Sequence, residues 1–198
     1  GKDDRILCCL QFFYGDPPWQ LLASLQAGTT LVAMRRFSVS RFWDVVRANR
    51  VTRLFGLASI PSLLLKGRSD REGDRNHDVR FALQVGIAEN LHATMTERWG
   101  FPWLEAYGLT ETGLVVGMPP EEAGRMVGSG SIGLPVPGAR ISICDETGGE
   151  VATGEQGEIW IKAPGLFKGY LNRPEATRET LVDGWLRSGD LGRRDSDG

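Results

Sequence analysis

The 198-residue sequence is short of several things, and each shortage removes a class of protein. It has no charge of one sign: 23 Lys and Arg stand against 25 Asp and Glu, a formal net charge of -2. That balance offers no electrostatic case for a nucleic acid or an anionic membrane surface. Arginine outnumbers lysine, but the basic residues are scattered and read as a solvated surface. No apolar run approaches the roughly 18 residues of a membrane span. The first apolar run, ILCCLQFFY, contains Gln11 and has neither a basic leader nor a cleavage site, so it does not read as a signal peptide. Cysteine is scarce: Cys8, Cys9 and Cys144. The adjacent pair would face opposite sides of a strand, and none has metal-site spacing, so reduced core packing and a cytoplasmic setting are expected. His77 and His92 have no second ligand at metal spacing and read as packing or exposed residues. No G-x-S-x-G is present, which leaves a hydrolase elbow unsupported. GSGSIG at 128–133 has the form G-x-G-x-x-G, but LPVPG follows it instead of a helix, so it does not support a dinucleotide site.

What is present is an alternation of short apolar strands and helices. ILCCLQFFY reads as a buried strand, WQLLASLQAG as a helix stopped by Gly28, and TTLVAM as a strand. Ser38 or Ser40 is expected to cap a helix over RFWDVVRANR. VTRLFGLA is a strand, PSLLLK a helix with Pro61 in its first turn, and residues 67–78 a polar surface loop. VRFALQVGI, ENLHATMTERWG and FPWLEAYG follow as strand, helix and strand. This is the pattern of an α/β fold with a parallel sheet flanked by helices. Past about Gly128 the helical periodicity vanishes. ARISICDE and GEIWIKAP alternate as half-buried strands around the turn ETGGE, with Glu158, Trp160 and Lys162 on one face and Ile159 and Ile161 on the other. A small antiparallel β subdomain is expected, giving an α/β part over 1–127 and a β-rich part over 128–198.

In open parallel sheets, ligands bind beyond the carboxyl ends of the strands. Two segments fall there: VGIAEN, and AYGLTETG at 106–113. With GEIWIKAPGLFKGYLNRPEAT and DGWLRSGDL, the run YGLTET forms an ordered set that resembles the AMP-forming adenylating enzymes. That superfamily includes acyl-CoA synthetases, peptide-synthetase adenylation domains and beetle luciferases. The likeness covers nearly the whole chain and is greatest to acyl-CoA synthetases. SRFWDVVRANRVT and FKGYLNRPEAT are similar to the carnitine and crotonobetaine type of CoA ligase.

The resemblance implies the large N-terminal domain of an adenylating enzyme, and roles for particular residues. Adenylation joins a carboxylate to the α-phosphate of ATP and expels pyrophosphate. Both reactants are anions, so charge must be neutralised and the groups aligned. Magnesium prefers oxygen and is held by one or two carboxylates plus substrate phosphates. Glu111 is the implied magnesium ligand. Thr110 would donate to a phosphate oxygen, and with Glu111 it makes the catalytic pair. Tyr107 would lie against adenine, with Gly108 and Leu109 beside it, and Thr112 would add a phosphate contact. Asp190 matches the aspartate that accepts from both ribose hydroxyls, as an ionised carboxylate can. Gly86, Ile87, Ala88 and Glu89 match the loop that borders adenine and the acyl group, in a sequence that departs from the usual small-residue and proline form. Gly86 and Gly108 would also border the acyl substrate. Phe13 or Tyr14 falls where many relatives carry a histidine or aromatic residue beside the acyl carboxylate.

The implied ligands are ATP or AMP, Mg2+, a small carboxylic acid, and CoA as co-substrate. The family's first phosphate loop and its C-terminal lid, which carries the adenylation lysine, have no counterpart in the sequence. The chain is therefore expected to be a piece of a ligase, inactive alone, with an uncovered apolar surface that favours homo-oligomers. An adenylation domain that loads a carrier protein, and a non-catalytic nucleotide-binding scaffold, are the competing readings.

Overall fold

The expected alternation of strands and helices produces two sheets. A computed structural model of the protein describes residues 1–57, 59–67 and 73–198. Part of the loop expected over 67–78, and the last residue of the strand expected over 51–58, lie outside the described residues. The chain forms two units: Gly1–Ala106 with Met118–Ile132, and Tyr107–Gly117 with Gly133–Gly198.

In the first unit β1 (Arg5–Cys8), α1 (Asp16–Ala27), β2 (Thr30–Ala33), α2 (Phe42–Ala48), β3 (Arg53–Leu57), α3 (Ser59–Leu65), β4 (Phe81–Val85), α4 (Glu89–Trp99) and β5 (Trp103–Leu109) follow one another. All strand pairs among β1 to β5 are parallel, in the spatial order β2-β1-β3-β4-β5. The second unit begins within β5 and adds β6 (Gly113–Gly117) and β7 (Leu134–Pro135), which complete the seven-stranded order. Its smaller sheet is antiparallel: β8 (Arg140–Cys144), β9 (Gln156–Lys162), β10 (Leu181–Val182) and β11 (Trp185–Arg193), ordered β10-β11-β9-β8, with α5 (Pro174–Thr180) preceding β10. No helix among the described residues is long and apolar enough to cross a membrane.

The core of the first unit joins Leu7, Val46, Val51, Leu54, Met95, Trp99, Phe101 and Trp103. Trp99 is 0% exposed, and its ring centroid lies 5.5 Å from Trp43 and 5.2 Å from Trp103. Both histidines pack into this unit. His92 is buried with Nε2 2.9 Å from the Trp103 carbonyl, and His77 stacks on Trp43 with Nε2 3.1 Å from the Trp99 carbonyl. The three cysteines are buried and free, and burial pushes the Cys9 thiol up to about 12. The GSGSIG stretch leads into β7 and opens no helix.

Four local expectations need correction. β1 stops at Cys8, because its neighbour β2 ends at Ala33 and a Gln11–Tyr14 turn then carries the chain into α1. Neither serine caps α2: the Ser38 and Ser40 hydroxyls lie 3.3 Å from one another, and a 3-10 turn at Val39–Arg41 runs directly into the helix. The polar loop is not wholly at the surface, since Asp74 is buried against Arg98 at 2.8 Å. Helix α5 arises where no helical periodicity was visible. It starts with Pro174 and Glu175, which suit a helix N-terminus, but buries no residue and so has no apolar stripe to read.

Candidate nucleotide site

The second unit contains the end of β5 and the turn into β6: motif residues 107–109 close the strand and 110–112 make the turn. A side chain at Gly108 would run into the Gly113 carbonyl and come within 2.9 Å of the Leu114 Cα, so the hairpin closes only around glycine. Thr112 locks the turn. Its buried hydroxyl accepts from the Leu109 N–H at 3.0 Å and donates to the Gly113 carbonyl at 2.7 Å. That hydroxyl is occupied inside the turn, whereas Thr110 is exposed at its tip.

Asp190 comes from the other end of this unit. The Tyr107 hydroxyl donates to Asp190 Oδ2 at 2.7 Å, joining residues 83 apart in the sequence. Burial, with the Asp190 carboxylate beside it, raises the Tyr107 pKa, so the phenol keeps its proton. Asp190 reaches this position through a break in a ladder. Arg187 pairs with Trp160 and Leu191 with Glu158, so residues 188–190 of β11 oppose Ile159 alone on β9. Such bulges re-aim side chains. The bulge contains Gly189 at φ +76°, and the Asp190 N–H donates to the Ser188 hydroxyl at 3.0 Å. Beneath it, Glu158 accepts from Arg187 Nε and Nη2 at 3.1 Å, Trp160 Nε1 at 3.0 Å and Gly189 N at 3.0 Å. Desolvation opposes the Glu158 charge, but these donors outweigh it and lower the pKa.

Glu111 lies on the same hairpin turn. Its Oε1 accepts from the Tyr170 hydroxyl at 2.8 Å, and its carbonyl accepts from the Phe167 N–H at 2.8 Å. Phe167 and Tyr170 pack edge to face at 4.7 Å, so the segment expected from GLFKGYLN is fastened to the turn at two points. The hydrogen bond to Glu111 raises the Tyr170 pKa. No cluster of three or more His, Cys, Asp or Glu suited to a metal occurs among the described residues. A half-exposed carboxylate with one oxygen on a neutral phenol suits magnesium that draws its other ligands from phosphates and water.

The remaining predicted residues belong to the first unit. Gly86 ends β4 with φ +77°, and Ala88 precedes α4, whose first residue is Glu89. Glu105 holds this loop. It is 5% exposed and accepts from the Gly86 and Ile87 N–H groups, each at 2.6 Å. Burial raises the Glu105 pKa, and the two backbone donors pull against that shift. Phe13 and Tyr14 are exposed beside one another, ring centroids 4.5 Å apart, in the turn before α1.

The pattern of the AMP-binding enzyme family matches residues 1–171. The chain belongs to the AMP-binding enzyme family. It is 35% identical over 184 residues to the probable CoA ligase CCL9 of Humulus lupulus, an alignment that covers 90% of this chain and 34% of that protein. Among solved structures it resembles o-succinylbenzoate CoA synthetase (MenE) of Bacillus subtilis in complex with its acyl-adenylate intermediate, with TM-score 0.86 and 32% identity over 98% of this chain and 39% of that one. The same enzyme in complex with ATP and magnesium matches with TM-score 0.84 and 31% identity, over 98% of this chain and 40% of that one. The chain thus spans about a fifth to a third of the length of the curated relatives it matches. The relatives are CoA ligases, and the two-sheet architecture is that of the N-terminal domain of adenylating enzymes.

The sequence assigns no role to three residues that the fold puts to use: Glu105, Glu158 and Tyr170. Each carried a faint signal. Glu105 is a carboxylate inside an apolar strand, Glu158 a carboxylate in mid-strand, and Tyr170 an aromatic residue in the loop GLFKGYLN. Only the fold supplies their partners.

Proposed function

We propose that the protein carrying this chain is an AMP-forming acid–CoA ligase. It would activate a carboxylic acid with ATP to acyl-AMP and pyrophosphate, then transfer the acyl group to CoA. The observation that carries the reading is the Tyr107–Asp190 hydrogen bond at 2.7 Å, with Glu111 four residues past Tyr107 on the same hairpin. Two motifs distant in sequence, which this reading assigns to the nucleotide, lie in one unit of a chain whose relatives are CoA ligases.

In this reading Asp190 accepts from the ribose hydroxyls, since Oδ1 and the second lone pair of Oδ2 remain available beside the phenol. Tyr107 supplies an aromatic wall for adenine, and exposed Thr110 donates to phosphate. Glu111 holds magnesium through the carboxylate that Tyr170 steadies. The bound ion would neutralise phosphate charge as the α-phosphate is attacked. In the first unit, Glu105 fixes the conformation of the Gly86, Ile87, Ala88 and Glu89 loop, which would serve the acyl group. Phe13 and Tyr14 contribute to acid selection.

Acid-dependent ATP–pyrophosphate exchange by the full-length gene product tests the proposal, across acids from carnitine-like to fatty and aromatic. Exchange with one class, followed by thioester formation on adding CoA, is the expected result. Exchange without transfer to CoA would favour a carrier-protein acceptor. ATP binding without exchange for any acid would replace the ligase with a non-catalytic nucleotide-binding protein.

A further inference from the structure

The Asp190 carboxylate depends on an interruption in the sheet. Where β11 departs from β9, the N–H groups of the bulge lose their place in the ladder. Gly189 and Asp190 are exposed and Ser188 is half-buried, so these N–H groups can turn to water, and the bulge keeps one geometry only where an acceptor within the fold holds it. The Gly189 N–H, immediately before Asp190, goes to Glu158 Oε1 at 3.0 Å. The other oxygen of that carboxylate, Oε2, takes Trp160 Nε1 at 3.0 Å and two Arg187 donors at 3.1 Å. Glu158 therefore fastens the bulge on both sides: at Arg187, where regular pairing ends, and at Gly189, where the chain has turned out. Trp160 fixes the carboxylate against its own strand.

We propose that Glu158 is a positioning residue for ribose recognition, holding the 188–190 bulge so that Asp190 meets the sugar hydroxyls. This rests on the assignment of Asp190 to the ribose. A plain ion pair between Glu158 and Arg187, with side chains 17% and 43% exposed, would contribute little by itself. The bond to Gly189 is what links Glu158 to the ligand. Both carboxylate oxygens accept, so no amide can replace the group. Glutamine must turn its NH2 toward either Gly189 N–H or the Arg187 and Trp160 donors, and one side of the bulge is released. Glu158→Gln is thus a near-isosteric change that should disturb Asp190 without emptying space.

The test is titration of the full-length gene product with ATP and with 2′,3′-dideoxy-ATP, which lacks both hydroxyls that Asp190 would accept from. The ratio of the two affinities reports ribose recognition alone. Asp190→Ala should bring that ratio close to one. Glu158→Gln should weaken ATP by roughly tenfold while leaving the dideoxy analogue within about twofold, and the double variant should be no worse than Asp190→Ala. A general structural defect would instead weaken both nucleotides together, and that result overturns the proposal. A ratio lost in Asp190→Ala but kept in Glu158→Gln overturns the positioning role alone. A ratio kept in Asp190→Ala overturns the ribose assignment, and the proposal with it. Trp160→Phe removes one donor to Glu158 and keeps most of the ring. It should move the ratio part of the way, and it carries the same outcomes if Glu158→Gln does not fold.

Discussion

The two units differ in where their polar groups lie. The first is ordered by apolar burial: Leu7, Met95, Trp99 and their neighbours fill a core, and among the described residues both histidines are hydrogen-bonded to backbone groups. The second presents its chemistry at the surface. Asp190 is exposed, Glu111 half-exposed, and each is steadied by a tyrosine hydroxyl. Apolar packing resists mutation of the surface and punishes mutation of the core. A polar site does the reverse: its exposed side chains carry function and little stability.

The comparison breaks most readily at Trp99. Trp99→Ala removes a fully buried indole from the first unit and should cost about 3–5 kcal/mol, read as a fall in the denaturant midpoint. A cost under about 1 kcal/mol would mean that the aromatic cluster is not what orders that unit.

Acid should separate the units next. Burial lowers the pKa of His77 and of His92 from 6.5, so the folded first unit binds fewer protons than the unfolded chain. Its stability should fall as pH drops below about 6.5 and level off below the folded values. Glu105 acts in the opposite sense. Its raised pKa disfavours the ionised form, so its contribution grows as pH falls toward 4.5. Glu158, in the second unit, has a lowered pKa; its stabilisation is present above 4.5 and is lost as pH falls through the folded value. Hydrogen exchange across pH 7 to 4 should show first-unit amides losing protection before those of β9 and β11. Simultaneous loss would erase the distinction.

Exposed charges define the small end of the scale. Asp190→Ala should shift thermal stability by less than about 0.5 kcal/mol while abolishing ribose discrimination. Arg50→Ala breaks an ion pair to Asp78 whose side chains are 81% and 49% exposed, and should change stability by about 0.3 kcal/mol. An Asp190 effect as large as that of Trp99 would make the carboxylate structural.

The same difference explains what was legible in the sequence. Strands β1 to β5 and helices α1 to α4 were readable because burial imprints a period on apolar residues, and Gly28 and Gly100 mark the helix ends. Residues such as Tyr107, Glu111 and Asp190 were visible as motifs. Their connections were not: a phenol and a carboxylate 83 residues apart meet only through the folded hairpin and the bulge. In WLRSGDL, Arg187, Ser188 and Gly189 read as a turn that shapes Asp190, but not as a bulge inside a strand, and the roles of Glu158 and Glu105 depend on backbone N–H groups that no side-chain pattern records. Helix α5 was missed because it has no buried face.

The most direct measurement is ATP binding by the full-length gene product with and without magnesium, for the natural sequence and for Glu111→Ala. The account predicts that magnesium tightens ATP binding in the natural protein, and that Glu111→Ala removes this gain, roughly tenfold or more, while leaving metal-free ATP affinity unchanged. A magnesium gain that survives Glu111→Ala would contradict the assignment of the second unit's hairpin as the metal-bearing part of a nucleotide site.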